Sequence, residues 1–299
     1  MDRISNNFTK FLMWMLLYLS AYIAVALSIR HLSEFFNIIE IVAIRSAGSL
    51  LVAGVVLAKS GISLNSKFSF HEVTRSALHI VGSLAFVWSL VNMPVALVST
   101  IEFVGPIFAA LVGIVVFKNK MEIYPRIGLA LMFLGIVITL ALNKTSDYGY
   151  ILLVALSAVC ILTVTNLMLA DLAKTESSSA IIFKMHLIQL PIYVILLFFI
   201  YPDWFQSVRN VSQNATFPTW IGIAIACFAL IAAGYVTQAS LASASRYGSP
   251  LQLCAADVLR LPMMAGVGYV AFSETIGLTL LLPGILIMIG SIMTSLPSR

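Results

Sequence analysis

Ten apolar stretches follow one another along this chain, each about as long as a bilayer core is thick when wound as a helix, with little between them. A helix rises about 1.5 Å per residue, so roughly 20 mostly apolar residues cross the hydrocarbon. With that ruler the spans fall at 11–29, 36–58, 71–92, 95–117, 123–142, 149–171, 179–200, 218–242, 249–272 and 276–296. Composition agrees: 61% of the residues are hydrophobic and 10% charged, against about 45–50% and about 25% in soluble domains. So few charges cannot cover a water-facing surface, so the solvent of most of this chain is lipid. The longer polar stretches, 59–70 and 201–217, leave no room for a separate catalytic head. The run from Phe11 to Ile29 is long enough to span, and no small-x-small cleavage site follows it. It reads as a retained first helix rather than a signal peptide.

The remaining charges set an orientation. With the N-terminus inside, ten Lys and Arg fall in inner segments: Arg3, Lys10, Lys59, Lys67, Lys118, Lys120, Arg126, Lys174, Arg246 and Arg299. Only Arg30, Lys144 and Arg209 fall outside, and Arg45, Arg75, Lys184 and Arg260 lie within or at the edge of spans. The positive-inside rule then places both termini in the cytoplasm and the chain in a cell inner membrane. That asymmetry accounts for the net charge of +5. No basic run with interleaved aromatics points to nucleic acid. Cys160, Cys227 and Cys254 each sit inside an apolar stretch, implying neither a disulfide nor a metal site.

Three landmarks recur 156 residues apart: Pro94 with Pro250, Pro106 with Pro262, and Gly128 with Gly284. Ordered matches at one spacing argue for duplication. Five spans per half force the second half to enter the membrane from the opposite side. The expected fold is therefore all-α, ten transmembrane helices in two inverted five-helix repeats, 1–145 and 146–299.

The stretch Asp257-Val-Leu-Arg260-Leu-Pro262, closing in Phe272-Ser-Glu274, resembles the ninth-helix segment of the EamA family in the drug/metabolite transporter superfamily. Pro94-Val-Ala-Leu-Val-Ser, through Gly105-Pro106-Ile-Phe to Val116-Phe117, is similar to the fourth-helix segment of the same family. The resemblance implies ten helices with cytoplasmic termini and a cargo among amino acids, related amines, drugs or nucleoside-like metabolites. The chain departs from the family pattern at the end of the fourth helix. There it has Lys118-Asn119-Lys120 and reaches an acid only at Glu122.

An ionisable group at the bilayer centre costs about 2.5–3.5 kcal/mol on insertion scales, so it needs a partner or a wet cavity. Arg45, Glu102, Asp257 and Arg260 are the deepest such residues, and Glu102 lies within one residue of the repeat equivalent of Asp257. They are the candidate substrate- or proton-binding residues. Asp257 and Arg260 can pair on one helix face, and Glu102 has Arg45 as an alternative partner to a substrate. Trp14, Tyr18, Tyr235 and Gln238 are candidate pocket-lining residues, the rings suiting a cationic group. Pro106 and Pro262 mark helix kinks, each removing the bond to the carbonyl four residues back. Arg75 with His79, and Lys184 with His186, lie toward the cytoplasmic ends, where snorkelling to headgroups is the expectation.

Phosphate loops, His-Glu-x-x-His and nucleophile elbows are absent from the sequence. Transport would then run on a gradient or on exchange, by alternating access, with no cofactor or metal. The expected partners are a small-molecule substrate and the bilayer, and a homodimer is compatible with both. Rivals of other classes are a membrane-embedded enzyme and a non-transporting scaffold or receptor. The enzyme would need clustered polar residues at an interface, whereas the polar residues here are single and deep.

Overall fold

The computed structural model describes residues 2–61, 68–115, 122–142, 149–201, 216–248, 250–274 and 278–295. Among them are twelve helices and no strand: α1 Asp2–Leu32, α2 Ile38–Ser60, α3 Phe70–Asn92, α4 Val95–Glu102, α5 Val104–Val115, α6 Ile123–Leu142, α7 Gly149–Leu172, α8 Ser178–Ile200, α9 Phe217–Ala244, α10 Pro250–Asp257, α11 Arg260–Phe272 and α12 Leu278–Ser295. Each expected span coincides with one helix or, for the fourth and ninth, with a broken pair. Among the described residues, eight helices are long and apolar enough to cross a bilayer, and Leu281–Thr294 is a shorter apolar helix. The outward surface is apolar as lipid requires, with Phe199 and Val270 both 82% exposed.

Helix ends in such a chain must be satisfied locally, because no water in the hydrocarbon replaces a lost hydrogen bond. At α2 the Asn37 side chain accepts from the Glu40 N–H at 2.9 Å, and the Asn37 N–H donates to Glu40 at 2.7 Å. Ser69 and Glu72 form the same reciprocal pair at α3. Gly61 closes α2 at φ 65°, a left-handed conformation that only glycine adopts freely.

Duplication is visible in the backbone. Between α1 and α2, the amides of Ser33, Glu34, Phe35 and Phe36 donate to the carbonyls of Ile29, His31, Leu32 and Leu32. Between α7 and α8, those of Ala173, Lys174, Thr175 and Glu176 donate to Leu169, Asp171, Leu172 and Leu172, the same four bonds 140 residues on. The helices that follow, α2 and α8, are each 23 residues long. Packing obeys the same relation: α1 lies on α9 as α7 lies on α3, while α2 pairs with α8 and α6 with α12. A two-fold that exchanges the halves maps the first two pairs onto each other and the last two onto themselves. With five spans per half, it makes the repeats inverted. The boundary between 145 and 146 lies outside the described residues.

Glycines bring α6 and α12 into close contact. A Cβ on Gly128 would meet the Gly290 carbonyl, and one on Gly135 would meet the Pro283 carbonyl 2.8 Å away. Glycine is required at Gly128 and Gly290 because the two backbones touch there.

Candidate functional site

The fourth and ninth spans break at equivalent points. Glu102 is the last residue of α4 and Asp257 the last of α10, 155 apart. Phe103 bridges to α5 with a tightened bond from its N–H to the Thr100 carbonyl at 3.2 Å. Val258 and Leu259 bridge to α11, where the Leu261 N–H reaches the Val258 carbonyl at 3.1 Å. Pro106 and Pro262 stand in the first turn after each break, where a missing N–H costs least. The prolines thus start new half-helices, and the discontinuities lie just before them.

The acids meet at one arginine. Arg260 Nη1 donates to Glu102 Oε1 at 2.9 Å, and its Nη2 lies 2.7 Å from Asp257 Oδ2. The Tyr22 hydroxyl donates to the same Glu102 oxygen at 2.8 Å, and the guanidinium sits 4.7 Å from the Tyr22 ring centroid. Glu102 Oε2, Asp257 Oδ1 and Arg260 Nε are buried without a hydrogen-bond partner among the described residues. Two carboxylates against one guanidinium leave the group one positive charge short of balance.

A cavity of about 120 Å³ opens beside this triad. Tyr18, Tyr22, Glu102 and Arg260 line one wall; Arg45, His79, His186 and Gln238 line the other. Arg75, behind that second wall, is held by the Thr165 carbonyl at 3.1 Å, Met185 Sδ at 3.1 Å and Gln238 Oε1 at 3.2 Å. His79 joins Gln189 at 3.1 Å and Gln238 at 3.5 Å, and His186 joins Ser46 at 3.0 Å.

A third group lies at one end of the bundle. Glu274 accepts from the Val95 N–H at 3.0 Å and the Ala96 N–H at 3.5 Å, capping α4 from the opposite repeat. Arg30 pairs with the same carboxylate at 3.4 Å and donates to the Leu90 and Met93 carbonyls at 2.8 and 2.7 Å. Ser273, at φ 53°, turns the chain so that Glu274 folds back along Gly268.

Residues 9–141 match the model of the EamA-like transporter family. This stretch is similar to an EamA repeat. The match coincides with α1–α6, and the EamA family belongs to the drug/metabolite transporter superfamily. Twenty-five solved chains match the fold. One, described only as "Crystal structure of protein", aligns over 97% of this chain and 96% of its own, with a TM-score of 0.68 and 14% identity. At that identity the likeness concerns the fold alone. No curated protein matches the sequence.

In this fold Glu102, Asp257 and Arg260 come together, and Arg45 does not join them. Glu102 takes its cation from the opposite repeat, so the alternative pairing with Arg45 does not form. Tyr18 and Gln238 line the cavity with Arg45. Trp14 packs instead in a cluster with Phe11, Met15 and Leu19. The Tyr235 hydroxyl is hydrogen-bonded with that of Ser179 at 2.7 Å, and Tyr235 is not among the lining residues. The snorkelling expectation is overturned for both basic pairs. Arg75, His79, Lys184 and His186 are 2%, 4%, 3% and 2% exposed, and Lys184 is bound between Glu72 at 2.8 Å and Glu176 at 3.1 Å. Arg75 and His79 share one helix face with Glu72, a signal that polar spacing in α3 carried. Lys118 and Lys120 lie outside the described residues.

Proposed function

We propose that this protein is a secondary carrier of a small polar metabolite bearing an amino group, working by alternating access between repeats 1–145 and 146–299. One observation carries the reading: acids closing equivalent half-helices share a single arginine, and the triad lies against the cavity between the repeats. A buried cluster lacking one positive charge attracts a proton, a metal cation or an ammonium. Tyr18 and Tyr22 add aromatic faces suited to that cation. Exchange between a proton and the cargo's amino group on Glu102 couples occupancy to charge, so a gradient or a counter-substrate drives the cycle. Amino acids, related amines and S-adenosylmethionine-like compounds are the cargo class. The Lys and Arg distribution supports an inner-membrane chain with both termini cytoplasmic.

The test is counterflow in proteoliposomes. Vesicles are preloaded with one unlabelled amino acid, polyamine, nucleoside or S-adenosylmethionine, and the labelled compound is added outside. Accumulation with one compound class, abolished in Glu102→Gln and lowered in Asp257→Asn, is the expected result. Accumulation that survives both substitutions would remove the triad from the mechanism.

A further inference from the structure

Arg45 is a cation inside the bundle with no hydrogen-bond or ion-pair partner among the described residues, and it faces the cavity. Its position is prepared. A Cβ on Gly234 would lie 2.9 Å from Arg45 Cγ and 3.2 Å from Cδ, so glycine there lets the arginine stem cross α9 and reach inward. Behind it, Arg75 is bound only by neutral acceptors: a carbonyl, a thioether and an amide. Fixing Gln238 Oε1 in this way leaves the Gln238 amide nitrogen on the cavity side, beside His79. This wall therefore presents a guanidinium and amide and imidazole groups, and no carboxylate. The opposite wall presents Glu102 and Arg260, and the Nη atoms of Arg260 face Glu102 and, outside the lining, Asp257. One wall is short of a negative charge and the other of a positive one.

Resting on the carrier reading above, we infer that the Arg45 wall is a carboxylate subsite and that the cargo is a zwitterion, its ammonium toward Glu102 and its carboxylate on Arg45. Arg260 is not the anion contact, because Glu102 and Asp257 occupy it. Arg45 contacts the cargo; Gly234 and Arg75 are positioning residues. A free amine would leave Arg45 unbalanced in a low-dielectric cavity, whereas an α-amino acid satisfies both walls at once. The site thus selects for the carboxylate as well as the amine.

The experiment is competition in the same counterflow assay. Each protein amino acid and S-adenosylmethionine is compared with its decarboxylated amine and, for the amino acids, its carboxamide. A charge-assisted hydrogen bond contributes about 1.5–3 kcal/mol, so the acid should compete about tenfold or more better than the amine. Arg45→Gln should bring that ratio to within about twofold, mainly by weakening the acid, and Arg45→Lys should restore part of it. Gly234→Ala, which displaces the stem without removing the charge, should fall between. Arg45 has no carboxylate partner to orphan, so these variants should elute and melt like the parent in detergent. Equal competition by acid and amine in the parent, or an equal loss of both in Arg45→Gln, overturns the inference. Accumulation of amines without acids overturns it while leaving the carrier reading intact. No accumulation of any compound sinks both.

Discussion

The two broken spans share a plan and differ in charge. Each has an eight-residue half-helix ending in an acid, a short tightened turn, and a proline in the next first turn. The turn in the first repeat is Phe103, fully buried and apolar. The second repeat follows its turn with Arg260, which reaches back to Asp257 and across to Glu102. Duplication supplied the geometry, and divergence at the residue after the break supplied the charge. A site built from equal halves would be symmetric; a single arginine between two acids makes it one-sided, which an asymmetric cargo requires.

The sharpest way to break this comparison is to remove the shared residue. Arg260→Met leaves Glu102 and Asp257 buried without their cation, and losing one partner of a buried pair costs about 3–5 kcal/mol. Thermal melting in detergent should show a large destabilisation, and adding Glu102→Gln with Asp257→Asn should recover most of it. A melt like that of the parent would mean the triad does not hold the repeats together.

Separating the acids comes next. Glu102 lines the cavity and Asp257 is not among its lining residues, so Glu102→Gln should lower counterflow about tenfold more than Asp257→Asn, a gap of about 1.4 kcal/mol. Equal losses would make the two breaks functionally equivalent, against their difference in structure. A finer probe is Tyr22→Phe, which removes one donor from Glu102 Oε1 and keeps the ring under Arg260. A hydrogen bond to a charged group contributes about 1.5–3 kcal/mol, and Arg260 retains part of that stabilisation. A several-fold loss of transport with an unchanged melt is the expected pattern. Smallest is Glu274→Gln, which keeps an acceptor for the α4 amides and loses the partly exposed pair with Arg30. Such pairs contribute about 0–1 kcal/mol, so only a shift of a degree or two in the melt is expected.

The fold was legible because the bilayer makes length and hydropathy decisive: every span from 11–29 to 276–296 meets a helix or a broken pair. The broken spans were legible from Pro106 and Pro262, although the breaks fall before the prolines, where the preceding turn tightens. Asp257 and Arg260 could be paired from their spacing. The Glu102–Arg260 contact could not, since it joins opposite repeats 158 residues apart. Arg75, His79, Lys184 and His186 were misread because closeness to a span end says nothing of which face of the helix a residue occupies. Tyr235 shows the same weakness, its ring turned to Ser179 rather than to the cavity. The capping of α4 by Glu274 left no local signal, because cap and helix are distant in sequence.

That cap bears on leakage. A carrier dissipates the gradient it uses whenever both ends of its pathway stand open together. One carboxylate at Glu274 holds the start of α4, the end of α11 and, through Arg30, the end of α3. On the carrier reading proposed above, opening at that end has to break this one carboxylate's contacts with all three segments.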